Sequence, residues 1–167
     1  MSGWWVAAFV VQWVLLLVLG VTIVALARQV GTLHLRLGPR GALEIDTEGP
    51  EVGSVPAPIR ARSDRGTPVR IGGSGPAKIV LFASPTCSIC HEVAPAIPAV
   101  ARAAGLAAVV VHDEAAEQAF DVPGTPFLVV LDDQGAVRAK GTVNNLEQVE
   151  GLVDTARRRV DEERWAS

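Results

Sequence analysis

Ser84-Pro85-Thr86-Cys87-Ser88-Ile89-Cys90-His91 holds both cysteines of the chain, spaced C-x-x-C, and the fold is read outward from it. Upstream, Lys78-Ile79-Val80-Leu81-Phe82-Ala83 is short, apolar and β-branched near its start, so residues 78–83 are predicted as a buried strand. Downstream, Val93, Ile97, Val100 and Ala101 keep helical spacing, which predicts a helix over 88–104 ended by Gly105. The cysteines therefore fall at a strand-to-helix junction. The first sits where unpaired N–H groups and the positive dipole end favour a thiolate. The second lies one turn later on the same face, within reach of the first. Cys87 is the expected nucleophile, Cys90 the resolving thiol, and Cys87–Cys90 the expected disulfide.

The rest of the composition narrows the classes. A chain of 167 residues suits one domain with an appendage. Net charge is −3, so no nucleic-acid partner is expected. Two cysteines cannot build a disulfide scaffold, and a single C-x-x-C reads as redox chemistry. Hydrophobic residues make up 49% of the chain, with the excess at the N-terminus.

Residues 4–27 are almost wholly apolar, with Gln12 and Thr22 the polar exceptions and no charge. As a helix this run would extend about 36 Å, enough to cross a hydrocarbon core of about 30 Å with some tilt. Trp4 and Trp5 sit where an interfacial aromatic anchor belongs, and Arg28 ends the run. Residues 1–28 are thus predicted as one transmembrane helix in contact with membrane lipid. Ala25-Leu26-Ala27 resembles a signal-peptide cleavage site, but the apolar core is too long and the first residues lack Lys and Arg. Arg28, Arg36 and Arg40 follow the span and none precedes it, which by the positive-inside rule argues for a cytoplasmic domain. Glu44, Asp46 and Glu48 partly offset that bias.

Residues 29–57 are expected to be linker. Gly38-Pro39-Arg40-Gly41 breaks the helix, and residues 48–58, rich in Gly, Pro and acids, read as an extended tether. Ser63-Asp64-Arg65-Gly66 is a turn signal between residues 59–62 and 68–71, a predicted hairpin. After the C-x-x-C helix come a strand over 106–112, a short helix over 114–120 and a buried strand over 127–131. Asp132-Asp133-Gln134-Gly135 then turns into a strand over 136–140. A last helix over 145–164 carries Leu146, Val149, Leu152, Val153, Ala156 and Val160 as its apolar stripe, capped by Asn144 or Asn145. This order predicts an α/β domain, a central mixed sheet flanked by helices.

Two proline features refine the expectation. Pro95 and Pro98 lie inside the C-x-x-C helix and predict a kink. Gly124-Thr125-Pro126 precedes the 127–131 strand. A cis Thr125–Pro126 bond would bend the strand start towards the cysteines and leave the Thr125 backbone free to pair with an extended substrate segment.

The strand 79–82, Cys87-Ser88-Ile89-Cys90, Pro95 five positions on, Thr125-Pro126, the 132–135 turn and the last helix together resemble a thioredoxin-like domain over residues 58–165. With the apolar N-terminus, Gly41-Ala42-Leu43-Glu44-Ile45-Asp46, Gly49-Pro50-Glu51-Val52-Gly53 and Ser84-Pro85-Thr86-Cys87, the chain more closely resembles the MauD family of methylamine utilisation proteins. That resemblance implies a membrane-anchored protein thiol–disulfide oxidoreductase acting outside the cytoplasmic membrane. It implies a cysteine-containing client, methylamine dehydrogenase, and an unidentified membrane redox partner. It requires no metal or organic cofactor. The implied outside location conflicts with the arginine count and is the expectation adopted.

Several residues depart from the thioredoxin pattern. Thr86 stands where a Trp precedes the first cysteine, Leu81 where a buried Asp accepts the resolving thiol's proton, and Ser88 where MauD-like chains often carry Pro. Glu92 and His112 are the candidates to replace the Asp. His91, near the helix N-terminus, is a candidate to stabilise the Cys87 thiolate. Three rival readings use the same stretch. Cys87-Ser88-Ile89-Cys90-His91 fits the attachment motif of a c-type haem electron carrier, with His91 as axial ligand and His34 or His112 as the second. Zinc bound by Cys87, Cys90 and His91 would lack a fourth ligand. The last is a redox-inert binding module.

Overall fold

The computed structural model describes residues 3–36 and 48–166. The helix break expected at 38–41 and the MauD-like stretch 41–46 lie outside them. The chain divides into two units, Met1–Pro39 and Arg40–Ser167.

The first unit contains one helix, α1 (Trp4–Arg36), of 33 residues. Its described apolar side chains are exposed, among them Trp4, Phe9, Trp13, Leu17 and Val21. Thr22 donates its hydroxyl to the Val18 carbonyl at 2.8 Å, so this polar group is satisfied within the helix. Among the described residues no helix is long and apolar enough to cross a membrane. The predicted span continues through residues 23–27, whose side chains lie outside the described ones.

The second unit runs β1 (Ile59–Arg62), β2 (Pro68–Ile71), β3 (Lys78–Phe82), α2 (Ser88–Val93), α3 (Ile97–Ala104), β4 (Ala107–Val111), α4 (Glu114–Ala119), β5 (Phe127–Leu131), β6 (Val137–Thr142) and α5 (Leu146–Ala166). The main sheet has the order β4-β3-β5-β6. β3 and β4 are parallel because helices cross between them; β5 pairs antiparallel with both β3 and β6. The central strands β3 and β5 are buried throughout, as their unbroken apolar runs predict. Their side chains alternate between two cores. Ile79, Leu81, Leu128 and Val130 face α2, α3 and α5. Val80, Phe82, Phe127, Val129 and Leu131 face the β1–β2 hairpin and α4, where Phe82 and Phe120 bring their rings to 5.4 Å. The expected mixed sheet flanked by helices is what forms.

The helix predicted over 88–104 is not one kinked helix. A 3-10 turn, Ala94–Ala96, separates α2 from α3, and Pro95 lies in it. Proline has no N–H to give, so the ladder resets there. Pro98 falls in the first turn of α3, where no donor is needed. Gly105 ends α3 in the left-handed conformation, φ 70°. Asn145 caps α5 by accepting from the Gln148 N–H at 2.9 Å, and Gln148 accepts from the Asn144 N–H at 2.6 Å.

The end of the predicted tether is also different. Residues 49–57 lie along the sheet as a strap. The Gly53 N–H donates to the Val137 carbonyl at 2.8 Å, and the Val137 N–H to the Ser54 carbonyl at 2.9 Å. Val52 joins the second core. Gly49 has φ +74°, and a Cβ there would come within 2.6 Å of the Phe127 ring, so only glycine fits. The strap is held by backbone groups, which composition does not reveal.

The β1–β2 hairpin pairs in the register Ile59↔Ile71 to Arg62↔Pro68. Its tip covers the free edge of β4. The Asp64 N–H donates to the Val110 carbonyl, the His112 N–H donates to the Arg62 carbonyl, and Ser63 bridges Val111. Asp113 fastens this corner, accepting from the Arg62 N–H at 2.9 Å and capping α4 through the Ala115 and Ala116 N–H groups.

Candidate active site

β3 delivers the chain to the end of the sheet, and Ser84-Pro85-Thr86 turns it into α2. Cys87 is the N-cap of α2, in extended conformation, and its Sγ accepts from the Cys90 N–H at 3.1 Å. A sulfur at that position is the one the helix end stabilises as an anion. Cys87 and Cys90 are joined in a disulfide, with Cα atoms 5.3 Å apart. The two sulfurs differ in surroundings. Cys87 is half-buried, whereas Cys90 is 3% exposed and packs in the first core. An approaching partner meets Cys87 first.

The Thr125-Pro126 loop is brought to the same place. The Thr125–Pro126 bond is cis, and the Thr125 carbonyl oxygen lies 3.9 Å from Cys87 Sγ. The Pro126 carbonyl accepts from the Val143 N–H at 3.3 Å, which ties the loop to the end of β6. Thr125 is half-buried and Pro126 buried. Thr86 is exposed, its hydroxyl 3.0 Å from that of Ser84. Ile89, 38% exposed, adds an apolar contact beside the disulfide.

His91 is exposed, and its Nε2 donates to the Pro85 carbonyl at 2.9 Å. That bond fixes the neutral ring as the Nε2–H tautomer and occupies the nitrogen an axial haem ligand would use. Cys90 is buried where its neighbour His91 is exposed, a poor arrangement for one tetrahedral zinc site.

Leu81 lies fully buried in the same core as Cys90, so this position supplies no carboxylate to that core. Of the two proposed replacements for a buried carboxylate, Glu92 is exposed on α2. His112 is half-buried and lines a cleft of about 340 Å³ that Cys90 also lines. Asp64 and Arg65 complete its outer wall. Ser63-Asp64-Arg65-Gly66 is legible as a turn from its residues, but its reach to the cysteine site is not. On α4, burial first, and then Glu114 and Asp113, raise the Glu117 carboxyl above its ordinary range, while His112 pulls it down.

No family model matches the chain. Methylamine utilization protein MauD of Paracoccus denitrificans is 32% identical, over 94% of this chain and 91% of that protein. The MauD of Methylorubrum extorquens is also 32% identical, over 89% and 85%. The chain belongs to the MauD family. Among solved structures, a thiol:disulfide interchange protein DsbE from Chlorobium tepidum superposes with a TM-score of 0.51 at 14% identity, covering 64% of this chain and 95% of that one. That likeness assigns the thioredoxin-like fold to the second unit. This MauD-family chain thus carries a closed C-x-x-C pair at the N-terminus of a helix on that fold, the equipment of a protein thiol–disulfide oxidoreductase.

Proposed function

We propose that the chain is a membrane-tethered thiol–disulfide oxidoreductase that exchanges disulfides with a periplasm-facing client, methylamine dehydrogenase. The observation that carries the chemistry is the asymmetric pair: Cys87 at the helix cap and within reach of solvent, Cys90 bonded to it and buried. In the dithiol form the Cys87 thiolate attacks a client disulfide, and the Cys90 thiolate then displaces the client. The Thr125 backbone, beside Cys87, pairs with the client segment and holds its sulfur in line. A protonated His91 would add positive charge near the Cys87 thiolate. The relatives are methylamine utilization proteins, and the client is the one the MauD resemblance implies. A membrane redox partner returns the pair to its working state.

The tether is α1. Its 33 residues, apolar side chains exposed along its described part, and Trp4 and Trp5 at one end support an anchor, with the thioredoxin-like unit on the outer side. A membrane-impermeant thiol reagent should label the reduced Cys87 in intact cells; labelling only after lysis would place the unit inside. Cys90→Ser should trap a reducible mixed disulfide with methylamine dehydrogenase when the two are produced together. Trapping of other proteins but never of that enzyme would remove the client and leave the chemistry. Replacing His91 by Ala should raise the Cys87 pKa, read as an alkaline shift in the pH profile of thiol alkylation. An unchanged profile would remove His91 from the site.

A further inference from the structure

The buried position of Cys90 sets a chemical problem. A thiol that is 3% exposed, in the same apolar core as Leu81, is disfavoured as an anion, yet it must become one to resolve a mixed disulfide. Some group has to take its proton. Among the described residues, the cleft of about 340 Å³ is where Cys90 meets ionisable side chains, and its lining includes His112, His91, Asp64 and Arg65. The imidazole of His91 is exposed and already donates to the Pro85 carbonyl. The ring of His112 makes no hydrogen bond among the described residues, while its backbone is pinned by the Arg62 carbonyl and its neighbour Asp113 by α4 and the hairpin. It is a held base with free nitrogens. The cleft is large enough to admit water between it and the sulfur.

We propose that His112 is the proton acceptor for Cys90, acting through solvent in the cleft that the hairpin tip closes. This rests on the thiol–disulfide reading above and deepens it. With oxidised glutathione as the disulfide, the Cys87 thiolate attacks one sulfur, and a glutathione thiolate leaves. His112 then takes the Cys90 proton. The Cys90 thiolate attacks the Cys87 sulfur, the Cys87–Cys90 bond forms, and the second glutathione leaves and recovers that proton. The dithiol loses two electrons, and one glutathione disulfide becomes two thiols. The charged groups near His112 are Asp64 and Arg65 from the hairpin tip, His91 from α2, Asp113 at the α4 cap, and Glu117 on α4, whose carboxyl His112 pulls down.

The test is rapid acid-quench of the reduced full chain with oxidised glutathione, with the mixed disulfide and the closed form separated by mass. His112→Gln should slow the second step roughly ten- to hundredfold near pH 7, within the range of general base catalysis, with the mixed disulfide accumulating. The deficit should shrink as pH rises, because hydroxide then takes the place of the missing base. Added imidazole, which the cleft can admit, should restore part of the rate. In the wild type the second step should be slower in D2O than in H2O and the first step should not, because only the second moves a proton. A His112→Gln second step with wild-type rate and pH profile overturns the proposal, as does a slow second step in His91→Ala alone. A His112→Gln chain that does not fold leaves the wild-type solvent isotope effect decisive, and equal second-step rates in the two solvents overturn the proposal. A wild-type chain that never forms the mixed disulfide overturns the thiol–disulfide reading itself.

Discussion

The two faces of the main sheet are equally buried but are covered by different kinds of structure. On one, α2, α3 and α5 lay regular apolar stripes over Ile79, Leu81, Leu128 and Val130, and the cysteine pair grows out of that packing. On the other, Phe82, Phe127 and Val129 are covered by a two-stranded hairpin, the short α4 and Val52 of the strap. The helical face carries the chemistry. The hairpin face sets the edge of the cleft behind Cys90 and closes the free side of β4. The lesson is that the site is made by one face and enclosed by the other.

That division can be broken at several points, and the largest effect belongs to the helical face. Cys87→Ser should abolish disulfide exchange with any dithiol or disulfide probe while leaving thermal unfolding of the fully reduced chain within a few degrees of the reduced wild type, since the half-buried sulfur is replaced by a similar atom. A residual rate above a tenth of wild type would mean that Cys90 can attack directly, against its burial. On the hairpin face, Phe120→Ala removes the ring beside Phe82 and should cost about 3–5 kcal/mol in denaturant unfolding. The reduction potential of the pair should hardly move; a large change would show that the two faces are coupled.

A smaller effect is expected at the strap. Gly49→Ala puts a Cβ against the Phe127 ring at a positive φ and should cost about 1–3 kcal/mol, with faster proteolysis at residues 48–57. An unchanged stability would mean that the strap is not part of the folded unit. The smallest effect is Glu117→Gln. The Glu117 carboxyl, raised mainly by burial, opposes folding when ionised, so that penalty is present above its folded pKa and fades as pH falls through it. The substitution should therefore raise stability slightly at pH 7 and leave it unchanged well below pH 4, as a melting series would read.

The helical face was the legible one. Its signals are long and regular: an unbroken strand over residues 78–82, C-x-x-C at the junction, the Val149-to-Ala156 stripe, and Thr125-Pro126 ahead of a strand. The hairpin was legible too, from its turn residues and flanking strands. What could not be read is contact that leaves no side-chain pattern. The strap is fastened by the backbones of Gly53 and Ser54 and by the absence of a side chain at Gly49, so its Gly-, Pro- and acid-rich composition reads as an extended tether. Its one signal was the MauD-like stretch 49–53. The role of Asp113 as both helix cap and hairpin tie needed the tertiary fold, although an Asp ahead of Glu114-Ala115-Ala116 is a cap signal in its own right. Asp64 and Arg65 precede Cys87 by more than twenty residues, and only the hairpin's docking on β4 brings them to the cleft.

The most direct measurement is a redox titration of the purified full chain in glutathione buffers, with free thiols alkylated and counted by mass at each potential. Cys87 and Cys90 should be modified together, in a single two-electron transition that rises tenfold in the dithiol-to-disulfide ratio for about every 30 mV. A chain whose cysteines stay free at every potential, or react one at a time, would contradict a working disulfide switch at the mouth of α2.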